Sequence, residues 1–293
     1  MCVRSQAIRR RDKGIIMTIG VVGLGLIGGS MAKAIKLYTE HTVLGYDISE
    51  TEVCKAELME AIDERLDVQN LPSCNMVIVA LYPSDIIKYI QENADIFSEG
   101  TIVVDCGGVK AAICEGLKNT VRGRTWHFIG GHPMAGREYS GFRYAKDDLF
   151  ENASMILTPD SSVPLEIISE VKRFFLTLGF SRIMLTTPER HDEMIAYTSQ
   201  MAHIVSNAYV RSELALKHSG FSANSFKDMT RVARLNESMW TELFLLNREA
   251  LISELDGIIE RLQTCRDAIS GSNEEKLKTT LREGSERKMI LDE

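Results

Sequence analysis

The run Gly23-Leu24-Gly25-Leu26-Ile27-Gly28 constrains this chain more than any other feature. A short apolar segment, Thr18-Ile19-Gly20-Val21-Val22, leads into it, and a helical pattern, Ser30–Leu37, follows. Between a strand and a helix each glycine has a use. Gly23 permits a tight turn, Gly25 lets the backbone approach a pyrophosphate, and Gly28 allows the helix to pack closely on the strand. The phosphates then sit on amides of the helix start, Leu26 and Ile27 among them. Asp47 closes the next strand-like run in Gly45-Tyr46-Asp47. A carboxylate there accepts hydrogen bonds from ribose hydroxyls and repels a 2′-phosphate, so the pattern predicts NAD rather than NADP.

The fingerprint opens a longer alternation. Ile19–Val22, Thr42–Tyr46, Met76–Leu81, Ile102–Val104 and Trp126–Ile129 read as buried strands separated by helical patterns. That alternation predicts a parallel sheet with helices on both faces. Met155–Thr158 and Ile183–Thr186, flanking a helical stretch from Pro164 to Leu178, extend the same sheet. Past Pro188 the strand-like runs stop. Apolar residues then recur at three- and four-residue spacing: Met194, Met201, Ile204, Val205 and Ala208, later Leu251, Leu255, Ile258, Ile259 and Leu262. The expected fold class is α/β, a Rossmann-type, mostly parallel sheet domain over residues 17–187 followed by an all-helical domain over 188–293. Met1–Ile16 is expected to be a disordered extension or a start assigned too early. The charged tail Gly271–Glu293 is expected to be frayed.

Composition narrows the function. At 293 residues and 44% hydrophobic content the chain can bury one large core or two modest ones. A net charge of -7, from 34 basic and 41 acidic residues, argues against a nucleic-acid partner. The six cysteines form no C-x-x-C pair, and neither a secretion signal nor an apolar run of membrane-spanning length is present. A cytoplasmic protein with reduced thiols and no membrane partner is expected. No metal is expected, because His191 and His203 lie off any H-E-x-x-H pattern.

A nicotinamide can accept a hydride, but an alcohol that supplies it must also lose a proton. His132, held in Gly130-Gly131-His132-Pro133-Met134-Ala135-Gly136, is the candidate base. That segment, followed by Glu138 and Ser140-Gly141, resembles the prephenate dehydrogenase family, which includes arogenate dehydrogenases. The resemblance runs from Met17 to about Leu262. It takes in His191-Asp192-Glu193, the Ser199-Gln200-Met201-Ala202-His203 segment, the arginine motif Phe226-Lys227-Asp228-Met229-Thr230-Arg231, and Trp240 beyond it. Helical spacing would put Ser199 and His203 on one face.

The resemblance implies oxidative decarboxylation of prephenate, or of arogenate, in tyrosine biosynthesis. It also implies a homodimer formed through the helical domain, and tyrosine as a possible competitor at the active site. By the same resemblance His132 is the base, Arg231 binds a substrate carboxylate and His203 bonds the substrate. Each has an alternative: Arg231 paired with Asp228 at the surface, His203 as interfacial packing. Glu138 and Asp228 either pair with Arg231 at the pocket or stand solvated, and Trp240 is expected to pack. Two other functions stay open: a different two-domain hydroxyacid dehydrogenase, which would need a lysine base on the first helix of the helical domain, and a non-enzymatic NAD-binding protein.

Two departures from the family pattern stand out. Where many relatives have Asp-x-x-Ser-Val-Lys, this chain has Asp105-Cys106-Gly107-Gly108-Val109-Lys110, so Gly108 replaces the serine that helps position the histidine. Water, a backbone group or another neighbour must do that here. Ahead of Arg231, Ser222-Ala223-Asn224-Ser225 replaces a glycine-rich approach, which leaves the choice between keto acid and amino acid substrates open. Some relatives also append a regulatory domain, and none is expected here beyond Glu293.

Overall fold

The computed structural model describes residues 16–137 and 139–292. The expected extension, apart from Ile16, and Glu138 therefore lie outside the described residues.

Eight strands form one sheet: β1 (Thr18–Val22), β2 (Thr42–Tyr46), β3 (Glu64–Arg65), β4 (Met76–Val79), β5 (Ile102–Asp105), β6 (His127–Pro133), β7 (Ser154–Pro159) and β8 (Arg182–Leu185). Their order is β3-β2-β1-β4-β5-β6-β7-β8, parallel throughout except where β7 runs antiparallel to β6. The central strands are buried on both faces, and alternate residues feed two cores. Ile19, Val21, Ile78 and Val104 pack in one; Val22, Val77, Val79 and Val103 pack in the other. Helices α1 (Leu26–Tyr38), α2 (Glu50–Leu58), α3 (Pro83–Asn93), α4 (Ala111–Val121) and α5 (Leu165–Thr177) cover them. Met31 and Ile35 of α1, with Val171 and Phe175 of α5, close the first core, while Ile86, Ile90, Ile113 and Leu117 of α3 and α4 close the second.

The expected α/β architecture holds, with three differences in detail. β3 is two exposed polar residues, without the apolar signal that marks a strand. β6 continues beyond Ile129 through His132 and Pro133, because pairing of Gly131 with Leu157 and His132 with Ile156 overrides the low strand propensity of glycine. The expected frayed tail is instead a helix. Asn273 accepts the Lys276 amide at its start, and Lys278–Glu274 and Lys288–Asp292 pairs at i,i+4 spacing support its exposed face.

The helical part comprises α6 (Pro188–Ile195), α7 (Met201–Val210), α8 (Asn224–Thr230), α9 (Glu237–Leu246), α10 (Arg248–Ser270) and α11 (Glu274–Asp292). A π turn over Ala196–Gln200 joins α6 to α7. It widens the helix where Ser199 lies, so the regular spacing behind a shared face for Ser199 and His203 is interrupted. Two side chains fasten this part to the sheet domain. Asp192 accepts the Lys110 and Ala111 amides at the start of α4, at 2.7 and 2.9 Å. Glu242 accepts the Ser84 amide and hydroxyl at the start of α3, at 2.8 and 2.6 Å. Both close helix ends whose first amides have no partner within the helix.

Gly28 offers a test of the close packing. Alanine for glycine within a helix ordinarily gains about 1 kcal/mol. A β-carbon at Gly28 would lie only 1.8 Å from the Gly23 carbonyl oxygen, which is backbone and cannot step aside. Gly28→Ala should therefore lower stability by about 1–3 kcal/mol, as overpacking does. A urea midpoint at or above that of the wild type would refute this.

Candidate active site

The glycine loop closes on itself through Asp47. One carboxylate oxygen accepts the Leu24 amide at 2.7 Å and the other the Ser49 amide at 2.8 Å. Gly23 adopts φ +87°, with its amide bonded to the Tyr46 carbonyl at 2.7 Å. A β-carbon at Gly23 would meet the Ala80 carbonyl oxygen at 2.4 Å, whereas one at Gly25 would meet nothing within 4 Å. The loop is tight where helix meets strand and open where a phosphate would approach. Gly25 stands at the N-terminus of α1 with no side chain capping it, so the first amides, those of Leu26 and Ile27 included, are available to an anion. The Asp47 oxygens keep lone pairs beyond the two amides. The cradle therefore fits a dinucleotide.

His132 lies near the end of β6, next to the buried Pro133. Its Nδ1 is 2.8 Å from Nε2 of His191, and Nδ1 of His191 is 2.6 Å from Asp192. His191 and Asp192 are buried, whereas His132 as a residue is partly exposed. Crowding by protein, then the nearby His191 and Lys110, pushes the His132 imidazole well below its ordinary value of 6.5. It is neutral, with a lone pair to receive a proton.

A buried ion pair supports this strand end. Lys110 and Asp105 are fully buried and bonded to each other. Asp105 also accepts the Gly107 and Gly131 amides at 2.8 and 3.1 Å, which holds β6 against the end of β5 one residue before His132. Removing one partner of such a pair typically costs about 3–5 kcal/mol, because the other charge stays buried alone. The space beside Gly108 is taken by Leu243 of α9, whose methyl would lie 3.0 Å from a β-carbon there. The neighbour on the imidazole is therefore His191, a residue noticed as part of a motif and given no role on sequence grounds.

A second cluster surrounds Arg231. Three side chains of α7 hold the segment around it: His203 Nδ1 lies 3.0 Å from the Val232 carbonyl, Ser206 donates to that of Met229 at 2.7 Å, and Asn207 to that of Ala233 at 3.1 Å. Trp240 packs on the His203 ring, centroids 4.0 Å apart. Arg231 and Asp228 are exposed, Ser199 partly so. The continuous α6–π–α7 helix joins the clusters, carrying His191 before the π turn and His203 after it. Near its middle, Asn247 donates to the Asp192 carbonyl and to the Gln200 side chain, both at 2.8 Å.

A dinucleotide cradle and a neutral histidine on a parallel sheet, fastened to a helical domain, define a two-domain nucleotide-dependent dehydrogenase. The family model described as prephenate dehydrogenase, nucleotide-binding domain, matches residues 31–184, and that described as prephenate dehydrogenase, dimerization domain, matches residues 187–283. The chain belongs to the prephenate dehydrogenase family. It is 30% identical to prephenate dehydrogenase of Bacillus subtilis over 89% of this chain and 72% of that one. A crystal structure of the A. aeolicus prephenate dehydrogenase in complex with hydroxyphenyl propionate and NAD+ aligns with TM-score 0.85 and 29% identity, covering 95% of this chain and 99% of that one. Synechocystis arogenate dehydrogenase aligns with TM-score 0.79 and 29% identity over 94% and 100%.

The depressed His132 value has a consequence for stability. At acid pH the unfolded chain protonates this imidazole near 6.5, whereas the folded chain waits for a lower pH. The unfolded state then holds the extra proton, so stability falls as pH drops below about 6.5. The urea midpoint should decline on acidification, and less so in His132→Asn. An equal decline in both proteins would show that His132 is not the group responsible.

Proposed function

We propose that this chain catalyses the NAD-dependent oxidative decarboxylation of prephenate to 4-hydroxyphenylpyruvate, a step of tyrosine biosynthesis. The observation that carries the assignment is a neutral, partly accessible His132 whose Nδ1 is engaged, in a chain matched by both domain models of the family. NAD, held on Gly23, Gly25, Leu26, Ile27, Gly28 and Asp47, supplies the hydride acceptor. The protein's task is to orient the substrate and handle one proton, because aromatisation of the ring drives the rest. His132 takes the proton of the ring hydroxyl as the carbon beneath it loses hydride. The resulting ketone loses carbon dioxide, and the bonding pair left behind completes the aromatic ring. The same proton then returns to the phenolate oxygen.

Arg231 pairs with a substrate carboxylate, for which a guanidinium fork is suited. Its segment is held by α7, which also carries His203, assigned by family resemblance to the bound substrate. Ser199, Asp228 and Glu138 are assigned to the pocket margin. The functional division falls at 187/188, with residues 188–293 providing the dimer contact. Exposed Leu216 and Phe221, 91% and 94% accessible, are the kind of surface a second copy would cover. Tyrosine, which resembles the product, would compete for the same pocket. We place the enzyme in the cytoplasm on the free thiols of its described cysteines; among the described residues no helix is long and apolar enough to cross a membrane.

NADH formation with prephenate and with arogenate, side by side, tests the assignment: prephenate should give the higher kcat/KM. Turnover of arogenate alone would overturn the substrate choice. With prephenate, His132→Asn should lose about 10²–10⁴ in kcat at nearly constant KM, the usual worth of a general base, whereas Arg231→Ala should chiefly raise KM. Wild-type turnover in His132→Asn would remove the histidine from the chemistry. For the cofactor, Asp47→Ser should erode the preference for NAD over NADP; a wild-type enzyme that already prefers NADP would contradict the role given to that carboxylate.

A further inference from the structure

Hydrogen-bond donors and acceptors at His132 can be assigned from one end of a chain of contacts. Asp192 receives the Lys110 and Ala111 amides at the start of α4, and as a carboxylate it can only accept. His191 Nδ1, 2.6 Å away, must donate to it. A His191 ring that carries its one proton on Nδ1 has a bare Nε2, which can accept from His132 Nδ1 at 2.8 Å. The neutral His132 is left with its lone pair on Nε2. An isolated imidazole side chain favours the opposite tautomer, so this state needs a cause.

We infer that His191, backed by Asp192, is a positioning residue that fixes the Nδ1-protonated tautomer of His132 and so makes Nε2 the atom that receives the substrate proton. When His132 takes that proton, its Nδ1–H points at His191. The added positive charge then lies along a line that ends at the Asp192 carboxylate, which no water need supply. His191 and Asp192 belong to α6, whereas His132 belongs to the sheet, so the tautomer is set across the seam between domains. The inference rests on His132 being the base, and it assigns that base a specific nitrogen. No side chain at Gly108 shares the task, since Leu243 fills the space there.

The direct test is nitrogen NMR of the histidine-labelled full chain, with the His132 signal assigned by loss in His132→Asn. The wild type should show Nδ1 protonated and Nε2 bare near neutral pH. His191→Leu removes the acceptor and should shift His132 to the Nε2-protonated form. It should also lower kcat with prephenate about 10–100-fold, part of what a general base contributes, while NAD and prephenate KM change little. His191→Gln, whose side-chain oxygen can reach near the lost Nε2, should recover most of that rate. A wild-type His132 protonated at Nε2 overturns the inference even if His191→Leu fails to fold. So does wild-type kcat in His191→Leu. If His132→Asn itself keeps full turnover, the base assignment has failed instead, whatever the tautomer.

Discussion

One carboxylate, Asp192, carries much of what makes this molecule a single machine. The first amides of α4 have no partner inside their own helix, and burying them unpaired would cost about 1–3 kcal/mol each. Asp192 satisfies two of them from the other domain. Its backbone carbonyl is in turn held by Asn247 at the start of α10. The helical domain therefore docks through a buried, fully partnered polar contact, which has a preferred geometry that an apolar patch would lack. Because His191 is the next residue, the same docking delivers an imidazole to His132. Domain seating and orientation of the proposed base are set by one short segment.

The nucleotide half of this arrangement was legible from residue order. The cradle depends on local features: glycines at fixed spacing, a strand before and a helix after, and a carboxylate at the end of the next strand. The central strands were legible too, since burial on both faces leaves uninterrupted apolar runs. Features that depend on distant partners were not. β6 extends through a glycine-proline segment only because β7 lies beside it, and β3 is two polar residues paired to β2. The helical tail misled by its charge, since charges four residues apart stabilise a helix as readily as they solvate a coil.

The site divides the same way. His132, Asp47 and Arg231 announce themselves by residue type and motif. The motif around His191 was visible, but nothing in its local sequence says that its ring reaches a strand in the other domain. Nor does Ser206 or Asn207 announce that it holds the backbone on either side of Arg231. These are supporting contacts, and a side chain that bonds a backbone carbonyl or another ring leaves no spacing signature.

The balance of buried polar and apolar contacts also explains how Gly108 is tolerated. A β-carbon at this position would lie 3.0 Å from a methyl of Leu243. Filling that space with leucine gains burial for α9 against the sheet domain, on the order of 1.5–3 kcal/mol for a side chain of that size. The imidazole instead meets His191, with Asp192 behind it, and Asp105 holds Gly131 in line. The chain thus joins its two parts by an apolar contact, Leu243 beside Gly108, and a polar one, Asp192 at the start of α4.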